Sequence, residues 1–177
     1  MSSLYTQETL LVKSSNLFYN NHMRLEQKIA KLLIKEQQTL SIAESCSGGL
    51  LTHRITNIPG SSNFLKLGLV TYSNDAKVKL LHVPKKLIKT YDAVSLPVAK
   101  QMAKNARKLM NSYWGIGITG IAGPSGGTPQ RPVGLVFVAV ANAKKTIVTK
   151  NLFKGNRQQI KSQAVTQALK MLLSALT

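Results

Sequence analysis

Between Val133 and Ala141 the chain reads VGLVFVAVA, a run without a single charge. A short apolar run of this length, rich in β-branched residues, reads as a buried strand, and a buried strand needs other elements to cover it. The rest of the chain offers that cover. Leu25, Ile29, Leu32 and Leu33 recur at three- and four-residue spacing, which predicts a helix from about Met23. Ser95 is placed to cap a long amphipathic helix carrying Val98, Met102, Ala106 and Leu109. A closing helix over about 157–176 places Ile160, Ala164, Val165, Ala168 and Leu172 on one face. Shorter strands are expected at Thr39–Ala43, Phe64–Tyr72, around Ile116 and Ile118, and at Thr146–Phe153. Helices begin after Gly49, stopping at Pro59-Gly60, at Asn74–Lys77, and at Pro84, which suits a first-turn position. Strands and helices mix throughout, the pattern of an α/β domain with helices layered on a sheet.

With 177 residues the chain fits one compact domain. Residues 1–20 are polar and weakly periodic and read as a loose lead-in or a peripheral helix, with the domain proper over 21–177. No apolar run approaches the ~20 residues that span a bilayer, and the N-terminal segment lacks the pattern of a signal peptide. One cysteine, Cys46, excludes an internal disulfide and suits a reducing, cytoplasmic compartment. Twenty-four Lys and Arg against six acids give a formal charge of +18. Such a surface attracts phosphates, nucleotides or nucleic acid, although the lysines are spread along the chain rather than gathered in one motif. No histidine pair or Cys–His spacing suggests a metal site, so neither metal nor cofactor is expected.

Three segments can carry chemistry. In the first, Ala43 to Gly49 (AESCSGG), a strand delivers two hydroxyls and a thiol to a Gly-Gly pair at a helix start. Exposed N–H groups there favour an oxyanion or a phosphate. In the second, Val70 to Lys77 (VTYSNDAK), hydroxyls, an amide, an acid and a lysine follow a strand end. If Ser73 or Asn74 caps the helix, Lys77 falls in its first turn, where the helix dipole disfavours the charged amine. A serine nucleophile needs such a base. The third, Thr119 to Pro129 (TGIAGPSGGTP), is a loop shaped by alternating glycine and proline, placed after a strand where α/β sheets bind ligands. Gly115, Gly117 and Gly120 match G-x-G-x-x-G formally, but the first two fall within a strand and no helix opens after the third. Cys46 is a rival nucleophile that would need a histidine beside it.

Together these segments resemble the CinA C-terminal domain family, the nicotinamide-nucleotide amidases. That family carries AESC-T-GG, V-x-YSN-x-AK, a GAVS-like stretch and [TS]GIAGP-x-GG-x-x-x-KPVG; here the counterparts are AESCSGG, VTYSNDAK, DAVS from Asp92 to Ser95, and TGIAGPSGGTPQRPVG. The match runs from about residue 23 to the C-terminus. The resemblance implies a single-domain, three-layer α/β/α sandwich with a mixed sheet, usually oligomeric. It implies hydrolysis of nicotinamide mononucleotide to nicotinic acid mononucleotide and ammonia, within pyridine-nucleotide salvage. Carried over by position, Ser45 would be the nucleophile and Lys77 its base, with the Tyr72 hydroxyl relaying the proton or holding the lysine. Glu44, Cys46, Ser47, Gly48, Gly49, Asn74, Thr119, Gly120, Gly123 and Arg131 would bind the nucleotide, Gly48 and Gly49 facing the oxyanion or phosphate. Many relatives carry an upstream molybdopterin-binding-like domain, and the length here predicts a stand-alone form. Ser47 stands where threonine is usual, Arg131 where lysine is usual, and Asp92 where glycine is common. The +18 charge motivates a second reading, a divergent relative that binds nucleic acid or a protein partner, but no nucleic-acid motif accompanies it and aromatics are few.

Overall fold

The computed structural model describes residues 23–177; the lead-in expected over 1–20 lies outside them. Five strands form one mixed sheet in the order β2-β1-β3-β4-β5. They are β1 (Leu40–Glu44), β2 (Leu65–Val70), β3 (Trp114–Gly120), β4 (Leu135–Ala141) and β5 (Thr146–Leu152). β1 runs parallel to both β2 and β3, whereas β4 is antiparallel to β3 and to β5. The helices are α1 (Leu25–Lys35), α2 (Leu50–Thr56), α3 (Asn74–Lys79), α4 (Lys85–Tyr91), α5 (Leu96–Leu109) and α6 (Arg157–Leu176). The chain thus forms a single α/β domain of three layers.

The uncharged strand explains the layering. On β4, Val136, Val138 and Val140 join a core with residues of α1, α2 and α6 on one face of the sheet. Leu135, Phe137, Ala139 and Ala141 meet Ala99 and Ala103 of α5 on the other. Every residue of β4 is buried, because alternate side chains each find a helical layer. The edge strands β2 and β5 instead alternate between half-buried and exposed positions.

β3 is asymmetric for a related reason. Ile116 and Ile118 enter the core beneath α1 and α6. Gly115 and Gly117 point the opposite way, and a Cβ on either would collide with the backbone carbonyl of Ala103 or Ala99 in α5. The glycines therefore let a helix lie close against the sheet, which accounts for the formal G-x-G-x-x-G match without a dinucleotide.

Local expectations shift in small ways that bear on function. The second strand stops at Val70, two residues before the expected Tyr72; the Thr71 N–H still bonds the Glu44 carbonyl, but the Thr71 and Tyr72 carbonyls lie beyond the ladder. Pro84 takes the position before α4 rather than its first turn. Ser95 precedes α5, but its side chain does not cap the helix; the hydroxyl donates to the Asp92 carbonyl at 2.7 Å.

Candidate active site

Because β1, β2 and β3 are mutually parallel, their carboxyl ends open on one side of the sheet, where open α/β sheets receive ligands. Ser45 follows the end of β1, Thr71 and Tyr72 follow β2, and the Gly-rich loop follows β3. A cavity of about 320 Å³ lies there, with Ser45, Lys77, Thr119 and Arg157 in its lining.

Lys77 is only 2% exposed, and its Nζ lies 3.0 Å from Ser45 Oγ. The amine also donates to the Thr71 carbonyl at 2.9 Å and reaches the Tyr72 carbonyl at 3.4 Å. Those carbonyls are available because β2 has already ended. Among the described residues no carboxylate forms an ion pair with this amine. Burial therefore lowers the Lys77 pKa from the ordinary lysine value. An uncharged amine has two N–H groups and one lone pair. The three oxygens around Nζ suit the three donors of an ammonium, and on loss of a proton the two carbonyls can keep the two N–H groups while the lone pair is left for the Ser45 hydroxyl. Such an arrangement can accept a proton from serine as its oxygen attacks a carbonyl.

Sequence reasoning expected the dipole of α3 to lower this pKa. Burial lowers it; α3 has only six residues, capped by Ser73 Oγ on the Ala76 N–H, and Lys77 is close to both of its ends, so the dipole adds little.

Comparison with known proteins places the chain in a family. The model of the CinA C-terminal domain matches residues 22–176. The chain is 47% identical over 155 residues to a CinA-like protein of Syntrophus aciditrophicus (strain SB), covering 85% of this chain and 37% of the relative. It is 39% identical over 170 residues to a CinA-like protein of Anaeromyxobacter sp. (strain K), covering 96% of this chain and 42% of that one. The chain belongs to the CinA C-terminal domain family. It spans 35% to 42% of the length of the curated relatives it matches. Among solved structures, the competence or damage-inducible protein from Enterobacter asburiae superposes with a TM-score of 0.83 at 33% identity, covering 86% of this chain and 96% of that one.

Within this CinA domain the other expected site residues divide into two groups. Cys46, Asn74, Thr119, Gly120 and Gly123 line the cavity with Ser45, Tyr72 and Lys77. Cys46 is buried, and burial pushes its thiol up to about 12, which keeps it protonated and a poor nucleophile at neutral pH. Thr119 directs its hydroxyl to the Ala93 carbonyl at 2.9 Å and so braces the cavity wall.

Glu44, Ser47, Gly48, Gly49 and Arg131 are not in the lining, and all but Ser47 have another occupation. Glu44 is fully buried, and its carboxylate accepts from the N–H groups of Gly49 (3.1 Å), Leu51 (3.1 Å) and Thr52 (2.9 Å), and from Thr52 Oγ1 (2.8 Å). It fills the start of α2 with the protein's own anion, at the place where the sequence suggested a substrate oxyanion or phosphate. The Gly48 N–H donates to the Ser45 carbonyl at 3.0 Å, closing the turn. Ser47 is buried, with no partner for its hydroxyl among the described residues. Arg131 pairs with Asp92, whose φ of 69° is a conformation normally left to glycine.

Tyr72 needs the sharpest revision. Its hydroxyl accepts from Arg157 Nη2 at 2.7 Å and makes no bond to Lys77; only its backbone carbonyl faces the lysine. Arg157 itself escaped the sequence reading. It opens α6, donates from Nη1 to the Gly123 carbonyl at 2.6 Å, and enters the cavity wall. Its only sequence signal was a place in the first turn of a helix, one basic residue among 24.

Proposed function

We propose that this chain is an amidohydrolase that cuts the carboxamide of nicotinamide mononucleotide, yielding nicotinic acid mononucleotide and ammonia. The observation that carries this reading is the 3.0 Å approach of a buried, charge-disfavoured lysine amine to a serine hydroxyl inside a cavity. The resemblance of AESCSGG, VTYSNDAK and TGIAGPSGGTPQRPVG to the motifs of the nicotinamide-nucleotide amidases suggests the substrate class. The Arg157 guanidinium offers the nucleotide phosphate a cation at the cavity wall.

In the first half-reaction neutral Lys77 takes the Ser45 proton as Oγ bonds to the carboxamide carbon, whose π pair moves onto oxygen. The Lys77 ammonium then protonates the amide nitrogen as the C–N bond breaks. Ammonia leaves, and nicotinic acid mononucleotide remains esterified to Ser45. In the second half Lys77 takes a proton from water as it attacks the ester carbon, then returns a proton to Ser45 Oγ as the acid departs.

The test incubates purified protein with nicotinamide mononucleotide, and separately with free nicotinamide, and follows ammonia. Release from the nucleotide is expected in the wild type and not in Ser45→Ala. No release, or undiminished release from the variant, would defeat the proposal.

A further inference from the structure

Two positions at which this chain departs from the pattern it resembles, Asp92 and Arg131, lie 39 residues apart in sequence (131 − 92) and form an ion pair. We infer that this pair is a clasp holding two walls of the cavity in register, which makes Asp92 and Arg131 positioning residues. The inference rests on the amidase reading only for its kinetic readout.

Asp92 ends α4 with φ 69° and ψ 160°, a backbone region that side chains ordinarily avoid. Such a conformation persists only where its surroundings over-determine it, and here they do. The Asp92 N–H donates to the Ile88 carbonyl at 2.8 Å, and the Asp92 carbonyl accepts from Ser95 Oγ at 2.7 Å. Its Oδ1 accepts from the Val94 N–H at 3.0 Å, while Oδ2 faces Arg131. The residues immediately after it, Ala93 and Val94, form one wall of the cavity.

Arg131 belongs to the returning limb of the Gly-rich loop. Its backbone is pinned to Thr128 in both directions, Thr128 N–H to Arg131 carbonyl at 2.9 Å and Arg131 N–H to Thr128 carbonyl at 3.1 Å. The outgoing limb, Ile121 to Gly123 with Ser125 and Gly126, forms another part of the wall. From inside, Arg157 holds that limb at the Gly123 carbonyl. From outside, Arg131 ties the loop to Asp92, and so to the wall that Ala93 and Val94 supply. Both partners are about 40% exposed. A pair so placed adds little to global stability and is screened by salt; its effect falls on the loop it restrains.

The test compares Asp92→Asn, which keeps the acceptor for Val94 but removes the charge, with Arg131→Gln and the double variant. Hydrogen exchange over residues 121–131 of the free protein is the first readout. Each single change is expected to speed exchange about two- to fivefold, and the double change no further. The KM for nicotinamide mononucleotide should rise by a similar factor with kcat held within about twofold, and Arg131→Lys should recover most of the loss. Salt near 0.5 M should bring the wild type about to the level of the variants. Unchanged exchange in both single variants, or two effects that multiply in the double, would overturn the clasp. Failure of the wild type to release ammonia would overturn the amidase reading and leave the exchange result to decide the clasp alone.

Discussion

Glu44, the last residue of β1, and Lys77, on the helix that follows the neighbouring parallel strand β2, are both buried ionisable residues, 0% and 2% exposed, yet their surroundings differ in kind. The Glu44 carboxylate receives four hydrogen bonds, three of them from N–H groups at the start of α2. Lys77 receives two carbonyls and a hydroxyl, with no ion-paired carboxylate among the described residues. A buried carboxylate whose oxygens are met by N–H and O–H donors is a structural part: it holds a turn. A buried ion whose compensation stops short of a counter-charge is pushed toward its neutral form, and for an amine that form is a base. The two regions also touch. The Thr71 N–H donates to the Glu44 carbonyl at 2.8 Å, and the Thr71 carbonyl accepts from Lys77. The rigid member thus helps place the reactive one.

The largest expected effect comes from removing the under-compensated ion. Lys77→Met keeps the length and bulk of the side chain but removes the lone pair, and should lower kcat/KM for the proposed amidase by ~10³-fold or more. The same variant reports on charge. The folded pKa of Lys77 is lowered, so between that value and the ordinary one near ~10.4 the unfolded chain binds the extra proton and the folded chain does not. The contribution of Lys77 to stability therefore rises with pH across that window, and Lys77→Met should lose that rise. Activity should climb with pH through the same lowered pKa, since the base must be neutral. Urea unfolding at a series of pH values checks the sign. A wild type with the same pH slope as the variant would break the contrast with Glu44.

Glu44→Gln is the complementary test and should act on stability. The carboxamide replaces one acceptor oxygen with an NH₂ that faces backbone donors, leaving buried N–H groups unpaired. A loss of ~3 kcal/mol is expected, with a lower urea midpoint and an unchanged m-value. If Glu44→Gln instead kept full stability and raised the KM for the nucleotide, Glu44 would have to be placed among the binding residues.

The same contrast explains what was legible in the sequence. The layered fold was, because β4 is uncharged and the helices around it are periodic, features that depend only on local spacing. Ser45 and Lys77 were legible as a pair through the motifs around them, although nothing local announces that residues 32 apart meet. The role of Glu44 was not. AESCSGG advertises a helix start that attracts anions, and sequence alone does not say that the anion is the glutamate at its own head. Asp92 stood out as a non-glycine where glycine is common, and its positive φ bears out the local oddity; its bond to Arg131 is long-range and had no sequence signature. Arg157 was invisible for the opposite reason, since a chain with 24 basic residues conceals the one that faces a cavity.

The smallest expected effect concerns Tyr72, whose side chain sequence reasoning had joined to Lys77. The residue is 60% exposed and its hydroxyl meets Arg157, while the lysine reaches the backbone carbonyl of the same residue. Tyr72→Phe preserves that carbonyl and removes only the oxygen that Arg157 touches. The pH dependence of kcat should therefore stay where it is in the wild type, and kcat itself should fall by no more than about threefold, the scale of one exposed hydrogen bond. Any larger change should appear in KM, because the freed Arg157 still holds the Gly123 carbonyl but points less firmly into the cavity. A fall in kcat of ~100-fold or more, with a shifted pH profile, would restore the hydroxyl to the proton path. Lys77 would then depend on a side chain as well as on its burial for its reactivity.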